Sequence, residues 1–159
     1  CHLYKINLIG LRFFTVYGPW GRPDMSYFKF FNLASRDKSI TVFNYGNHSR
    51  SFTYIDDLIN NMTKIKNYYL AKNNKKAESL VYNLGNPKTI TLKHLIKKME
   101  IISGKNFKKK YIGKQPGDVL KTAANLAIEK KKFKLKFSCN LDKGLKVFYL
   151  WFQRYKNFK

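Results

Sequence analysis

The chain has 159 residues, of which 44% are hydrophobic and 16% aromatic, and it carries a formal net charge of +23. This length fits one domain with a sizeable core, and the aromatic content excludes an intrinsically disordered polyelectrolyte. No run approaches about 18 apolar residues, and the opening residues do not follow the pattern of a secretory signal, so we expect neither a membrane span nor export. The two cysteines, Cys1 and Cys139, are too few for a disulfide framework, which makes the cytoplasm the expected location.

Basic residues outnumber acidic residues by 32 to 9, which raises the question of a nucleic-acid partner. Lysine is spread over every segment, with short runs at residues 108–110 and 130–132, and no aromatic–basic repeat accompanies it. A charge run of this kind is usually a solvated face, so nucleic acid is not the expected partner. A basic nucleic-acid-binding module is the alternative from a different functional class, and a steep salt dependence of DNA binding would favour it.

The first part of the chain predicts short strands around a turn-rich loop. Residues 7–15 are an apolar run typical of a buried parallel strand. Residues 16–24 are predicted to form a loop, because two X-Pro steps within them disfavour helix. A helix over residues 25–34 and strands over residues 40–43 and 50–54 follow.

The rest of the chain alternates helices with short strands, as in an α/β protein. The clearest helix covers residues 55–71, where apolar residues recur every three to four positions. Thr91 is the predicted N-cap, and Gly104 the predicted stop, of a helix over residues 92–102. The remaining predicted elements are a polar connection at 73–76, strands at 80–84 and 109–112, and helices at 126–131 and 141–155.

Three stretches differ from the rest of the chain in that they form recognisable sequence motifs. Residues 11–25 read LRFFTVYGPWGRPDM, residues 50–57 read RSFTYIDD, and residues 115–119 read QPGDV. In this order they resemble the substrate-binding half of the NAD-dependent epimerase/dehydratase family, the extended short-chain dehydrogenase/reductases. The sequence of the first stretch is most similar to the corresponding motif of the UDP-glucuronate 4-epimerase branch of that family.

The resemblance implies an α/β fold: a C-terminal substrate-binding lobe plus the last strand or strands of a Rossmann-type NAD-binding domain. Residues 1–24 would be the remnant of the NAD-binding domain with a substrate loop, and residues 25–159 the nucleotide-sugar-binding lobe. The chain would then be only the C-terminal half of such an enzyme, with NAD bound mainly by the other half. Family members commonly form homodimers through helices of that other half.

The residues that carry the family's chemistry are not expected in this chain. A glycine-rich turn for the NAD pyrophosphate is missing, because no G-x-G occurs anywhere. Tyr-x-x-x-Lys occurs at Tyr68/Lys72 and at Tyr155/Lys159, but neither pair precedes the strand at residues 11–14, where the family's catalytic pair lies. We therefore expect no catalytic residue here and no activity of the chain alone.

The activity implied by the resemblance is the NAD-dependent conversion of UDP-glucuronate to UDP-galacturonate. A UDP-glucuronate decarboxylase or a dTDP-glucose 4,6-dehydratase is the alternative within the family. Thr15 and Arg22 match positions that meet the sugar and its carboxylate, which favours the epimerase. The residue types agree, since an arginine fork grips a carboxylate through two bonds. Pairing of Arg22 with the nearby Asp24 is the alternative reading.

The resemblance assigns four further residues. Arg50 matches the arginine that binds the UDP diphosphate, and an ordinary surface arginine ahead of a helix is the alternative. Asp118 matches the carboxylate that meets the ribose hydroxyls. Phe43 matches the residue that packs on uracil, and Phe13 a position behind the nicotinamide. Core packing is an equally good reading of both phenylalanines, and turn capping is the alternative for Asp118. Gln115 stands where many other family members carry an arginine, as in the glucuronate branch, so one phosphate contact is weaker or is supplied elsewhere.

No metal site is expected. The three histidines, His2, His48 and His94, are isolated in the sequence and lack the spacing of metal ligands.

Overall fold

The computed structural model describes residue 1 and residues 3–72 and 78–157. Over these ranges the chain alternates strands and helices, as the predicted α/β fold requires. The strands, in chain order, are β1 Leu8–Phe13, β2 Thr15–Tyr17, β3 Ile40–Val42, β4 Ser49–Tyr54, β5 Ser79–Leu84, β6 Thr89–Thr91, β7 Lys109–Tyr111 and β8 Lys121–Thr122. The helices are α1 Ser26–Ser35, α2 Ile55–Ala71, α3 Leu92–Ser103, α4 Ala127–Phe133 and α5 Leu141–Asn157, with a 3-10 turn at Phe43–Gly46.

The strands form three small sheets. β1 pairs in parallel with β5, and β3 pairs in parallel with β7. In the third sheet β4 is central: its second half pairs with β2 in parallel, and its first half pairs with β6 antiparallel and with β8 in parallel. The predicted domain division after residue 24 stays a prediction. β1 lies before this division, and its partner β5 lies after it.

The single strand predicted over residues 7–15 is divided in two. β1 ends at Phe13, and the chain crosses at Phe14 into a different sheet, where Thr15 pairs with Phe52. The predicted loop therefore begins at Gly18 rather than at residue 16. Val16 and Tyr17 are residue types that favour strands, and β4 supplies the edge with which they pair. The local sequence pattern contains no information about this long-range partner.

Several local predictions are confirmed. The helix at residues 55–71 has the predicted ends. The Thr91 hydroxyl accepts a hydrogen bond from His94 N at 3.2 Å, and Gly104 ends α3 with a φ of 66°. The short strands β6 and β8 were not predicted. The predicted connection at residues 73–76 lies outside the described residues.

The main core is built from aromatic side chains of α1, α5 and the β2–β4 pair. The Phe148 ring is tilted against the rings of Phe28 and Phe31, with centroids 5.7 and 6.0 Å apart. Tyr17 and Tyr27 close this core under the loop that follows β2. Aromatic burial of this kind is the largest hydrophobic contribution available per residue. A second cluster lies between α2, α4 and β5.

No helix among the described residues is long and apolar enough to cross a membrane.

Tyr17 restricts what α5 can carry at Gly144. A Cβ built on Gly144 would lie 2.8 Å from two Tyr17 ring carbons, and nearer still to the hydroxyl. Gly-to-Ala changes inside a helix usually stabilise by about 1 kcal/mol. Here we expect Gly144→Ala to destabilise the protein by about 1–3 kcal/mol, because the added methyl group would overpack the core against Tyr17. Urea unfolding measures this.

The matching second variant is Tyr17→Phe, which removes the nearest clashing atom. The double variant should be more stable than the sum of the two single effects predicts, because the two sites touch. A Gly144→Ala protein that is more stable than the parent would contradict the packing described here.

Tyr27 predicts a loss of stability in alkali. Burial, together with the nearby Asp24 carboxylate, raises the pKa of Tyr27 to about 12. An unfolded tyrosine ionises near pH 10, so between about pH 10 and pH 12 the unfolded state binds fewer protons than the folded state. The contribution of Tyr27 to the free energy of unfolding is fully present below about pH 10. It is lost as the pH rises to about 12, and the loss amounts to about 2 kcal/mol.

Urea unfolding at about pH 9 and about pH 11 tests this. Tyr27→Phe should show a shallower decline than the parent, since phenylalanine does not titrate. Equal declines in the two proteins would contradict the assignment. Burial also raises the pKa of Tyr17, so some decline remains in the variant.

Candidate functional site

A cleft of about 460 Å³ opens where β1 ends and β2 begins. It brings together three of the predicted site residues: Phe13, Thr15 and Arg22. In open α/β sheets, ligands bind at the carboxyl ends of parallel strands, and β1 and β5 end together here at Phe13 and Leu84. The roles assigned to the three residues stay predictions, but their common location agrees with a shared ligand.

The loop beside the cleft is held by close packing. Gly21 N donates to the Gly18 carbonyl at 3.1 Å, which closes a turn. A Cβ on Gly21 would lie 2.9 Å from the Tyr27 ring, so only glycine fits there. Trp20, at the tip with a φ of 61°, packs on Trp151 of α5 with ring centroids 5.3 Å apart. The loop therefore rests on the aromatic core at one end and on α5 at the other.

Arg22 pairs with Asp24, which was the alternative reading of this arginine. Nη2 lies 2.6 Å from Oδ2 and Nε donates to Oδ1 at 3.1 Å, so the guanidinium fork grips the carboxylate through two bonds. The pairing lowers the pKa of Asp24. Both side chains are largely exposed. Exposed ion pairs are weak, so a ligand carboxylate can compete with Asp24 for the same fork.

Arg50 and Asp118 meet, although they are 68 residues apart. Arg50 Nη2 lies 3.3 Å from Asp118 Oδ1, and Nη1 donates to the Ser49 carbonyl at 3.0 Å. The pairing of β8 with β4 and a bond from Ser49 N to the Leu120 carbonyl at 2.8 Å bring residue 118 to this position. Both side chains are about one third exposed, so they face a surface from which a ligand can approach.

Phe43 is the first residue of the 3-10 turn that follows β3. The next two residues, Asn44 and Tyr45, adopt φ values of 44° and 50°. Their backbone N–H groups donate to the carbonyls of Gly113 and Ile112 at 3.3 Å. The turn is thereby tied to the segment that leads to Asp118. Phe43 is half-buried and keeps part of its ring accessible.

Strand β4 connects the two groups of residues. Thr15 of the cleft pairs with Phe52, which lies two residues after Arg50 on the same strand. Residues two apart on a strand are separated by about 7 Å and share a face. The cleft and the Arg50 group are therefore neighbours along one strand.

His48 is a site residue that the sequence analysis missed. It is buried, and its Nε2 lies 3.2 Å from Asp118 Oδ2. The signal in the sequence was its position, since His48 stands two residues before Arg50 and directly precedes β4. His94 instead lies in the first turn of α3. His2 lies outside the described residues. No cluster of potential metal ligands occurs in the described part of the chain.

The Tyr-x-x-x-Lys pair at Tyr68 and Lys72 is remote from the cleft. Tyr68 packs on Phe133 with ring centroids 5.1 Å apart, and Lys72 Nζ lies 5.1 Å above the Tyr68 ring. Tyr68 is 13 residues along α2 from Ile55, which lines the cleft, a distance of about 20 Å on a helix. Lys159 of the second pair lies outside the described residues.

The model of the NAD dependent epimerase/dehydratase family matches residues 1–85, more than half of the chain. An uncharacterized protein of Methanocaldococcus jannaschii is 43% identical over 157 residues, covering 98% of this chain and 46% of that protein. UDP-glucuronate 4-epimerase 4 of Arabidopsis thaliana is 38% identical over 165 residues, covering 97% of this chain and 38% of that protein.

Solved structures agree. UDP-glucuronic acid 4-epimerase from Bacillus cereus, solved in complex with UDP-glucuronic acid and NAD, superposes with a TM-score of 0.83 at 29% identity, covering 97% of this chain and 48% of that one. The chain spans half or less of the length of these relatives. The resemblance read from the three motifs is confirmed: the chain belongs to the NAD-dependent epimerase/dehydratase family of enzymes.

Proposed function

We propose that this chain is the nucleotide-sugar-binding part of an NAD-dependent epimerase that converts UDP-glucuronate to UDP-galacturonate. The observation that carries the proposal is the meeting of Arg50 and Asp118 next to the turn that begins at Phe43. Relatives named UDP-glucuronate 4-epimerase match over nearly the whole chain and support the choice of substrate.

Arg50 is proposed to bind the diphosphate. Its contacts among the described residues are one bond to Asp118 and one to the Ser49 carbonyl, whereas a guanidinium carries five N–H groups. The remaining donors suit phosphate oxygens, which arginine grips bidentately. Asp118 accepts from the ribose hydroxyls, since an ionised carboxylate is an acceptor with two oxygens. The partly exposed Phe43 stacks on the base.

Thr15 and Arg22 are proposed to bind the sugar. The Thr15 hydroxyl lies at the start of β2 in the cleft and can donate to or accept from a sugar oxygen. Arg22 exchanges Asp24 for the glucuronate carboxylate, keeping a two-bond grip throughout. A sugar without a carboxylate would leave the Arg22–Asp24 pair in place, and this difference is the basis of the proposed selectivity.

The residues of this chain fit only a small part of NAD. Phe13 is half-exposed in the cleft and offers an apolar face to a nicotinamide ring. NAD, when bound in the family's enzymes, accepts a hydride from the sugar and returns it. The chain holds no glycine-rich turn for the pyrophosphate, so the contribution of these residues is to bind and orient the sugar nucleotide.

We expect the chain alone to show no epimerase activity, with or without added NAD. The reason is that the described Tyr-x-x-x-Lys pair lies about 20 Å from the cleft on a helix. Incubation with UDP-glucuronate and NAD, followed by chromatography for UDP-galacturonate, measures this. Turnover above that of a heat-inactivated sample would show that a residue of this chain acts as the general base.

We expect Arg50→Lys to weaken UDP binding by about tenfold or more, because lysine keeps the charge but cannot form two parallel bonds to a diphosphate. Calorimetry with UDP and with uridine measures it, and the loss should be confined to UDP. Arg36→Lys is the matched control: the same substitution at an exposed arginine at the end of α1.

Equal UDP affinities for Arg50→Lys and the parent chain would remove the diphosphate assignment. An equal loss in both arginine variants would instead indicate a general polyanion surface.

A further inference from the structure

His48 carries a buried polar atom that the fold does not satisfy. The side chain is 8% exposed, and Nε2 has no hydrogen-bond partner of good geometry among the described residues. Its close neighbour is Asp118 Oδ2, at 3.2 Å. Buried side-chain atoms without a partner are rare in native proteins, so each of them requires an explanation.

The backbone holds His48 in this position. Leu92 N, at the start of α3, donates to the His48 carbonyl at 2.9 Å. The next residue, Ser49, donates to the Leu120 carbonyl at 2.8 Å. The backbone of His48 is therefore fixed between α3 and the segment that carries Asp118, and its imidazole is buried between them.

The Asp118 carboxylate lies between the side chains of Arg50 and His48. Oδ1 faces Arg50 and Oδ2 faces His48. An isolated Asp–Arg pair prefers the geometry in which both carboxylate oxygens bond to the same guanidinium. That arrangement would occupy the fork of Arg50. With Oδ2 facing His48, Asp118 engages Arg50 through one oxygen only.

We propose that His48 is a positioning residue that limits Asp118 to a single-oxygen contact with Arg50 and so keeps the remaining guanidinium donors available for a diphosphate. This inference rests on the proposed function, which assigns the diphosphate to Arg50. His48 does not touch the ligand, because Nε2 is buried; it acts through Asp118.

The measured quantity is the diphosphate increment, the ratio of the dissociation constants of uridine and UDP for the full chain, obtained by calorimetry. His48→Leu removes the polar imidazole and should lower the increment by about tenfold, because Asp118 then pairs with Arg50 through both oxygens. His48→Gln places an amide N–H near the position of Nε2 and should keep the increment within about twofold of the parent. A purely structural role would change thermal stability without changing the ratio.

The double variant His48→Leu/Asp118→Asn tests the route. In an Asp118→Asn background, His48→Leu should leave the increment unchanged, because the neutral amide no longer forms an ion pair with Arg50. An unchanged increment in His48→Leu alone would overturn the inference, as would an equal loss in His48→Gln. If instead the parent chain shows no increment, the assignment of Arg50 fails and the inference fails with it.

Discussion

Strand β4 is hydrogen-bonded along its length to three other strands, and the rest of the structure depends on this pairing. Its second half, at Phe52–Tyr54, pairs with β2 and is buried in the aromatic core. Its first half pairs with β6 and β8 and carries Arg50. One strand of six residues therefore joins the core to the candidate site. Displacement of β4 would move Thr15, Arg50 and Asp118 together.

The few acidic residues have a disproportionate structural role in this basic chain. Asp57 is buried at the start of α2 and accepts from the backbone N–H groups of Ser138 and Cys139 at 3.3 and 2.9 Å. Glu129 is also buried and accepts from Asn83 N at 2.8 Å. These carboxylates connect distant segments through charge-assisted hydrogen bonds, which are stronger than neutral ones. The lysines outnumber them but lie mostly on the surface, as the scattered pattern predicted.

The sequence predicted the elements that depend on local signals. The stripe of α2, the Thr91 cap and the Gly104 stop are encoded within a few residues, and each was found. The break at Phe14 and the short strands β6 and β8 depend on β4, which supplies their partner edge from 30 or more residues away, so no local pattern contains them. The sequence motifs identified Arg50 and Asp118 as candidate site residues. The contact between His48 and Asp118 forms only because β8 pairs with β4, and a sequence motif does not show this pairing.

The packing of Trp20 on Trp151 has an optical consequence. The chain contains two tryptophans, and they are these two, one on the loop beside the cleft and one on α5. Indole emission depends on the polarity and the neighbours of the ring, and here each ring is the close neighbour of the other. Separation of the loop from α5 would change the surroundings of both fluorophores at once. The molecule thus carries its own unlabelled reporter of loop position, with no other tryptophan to contribute background.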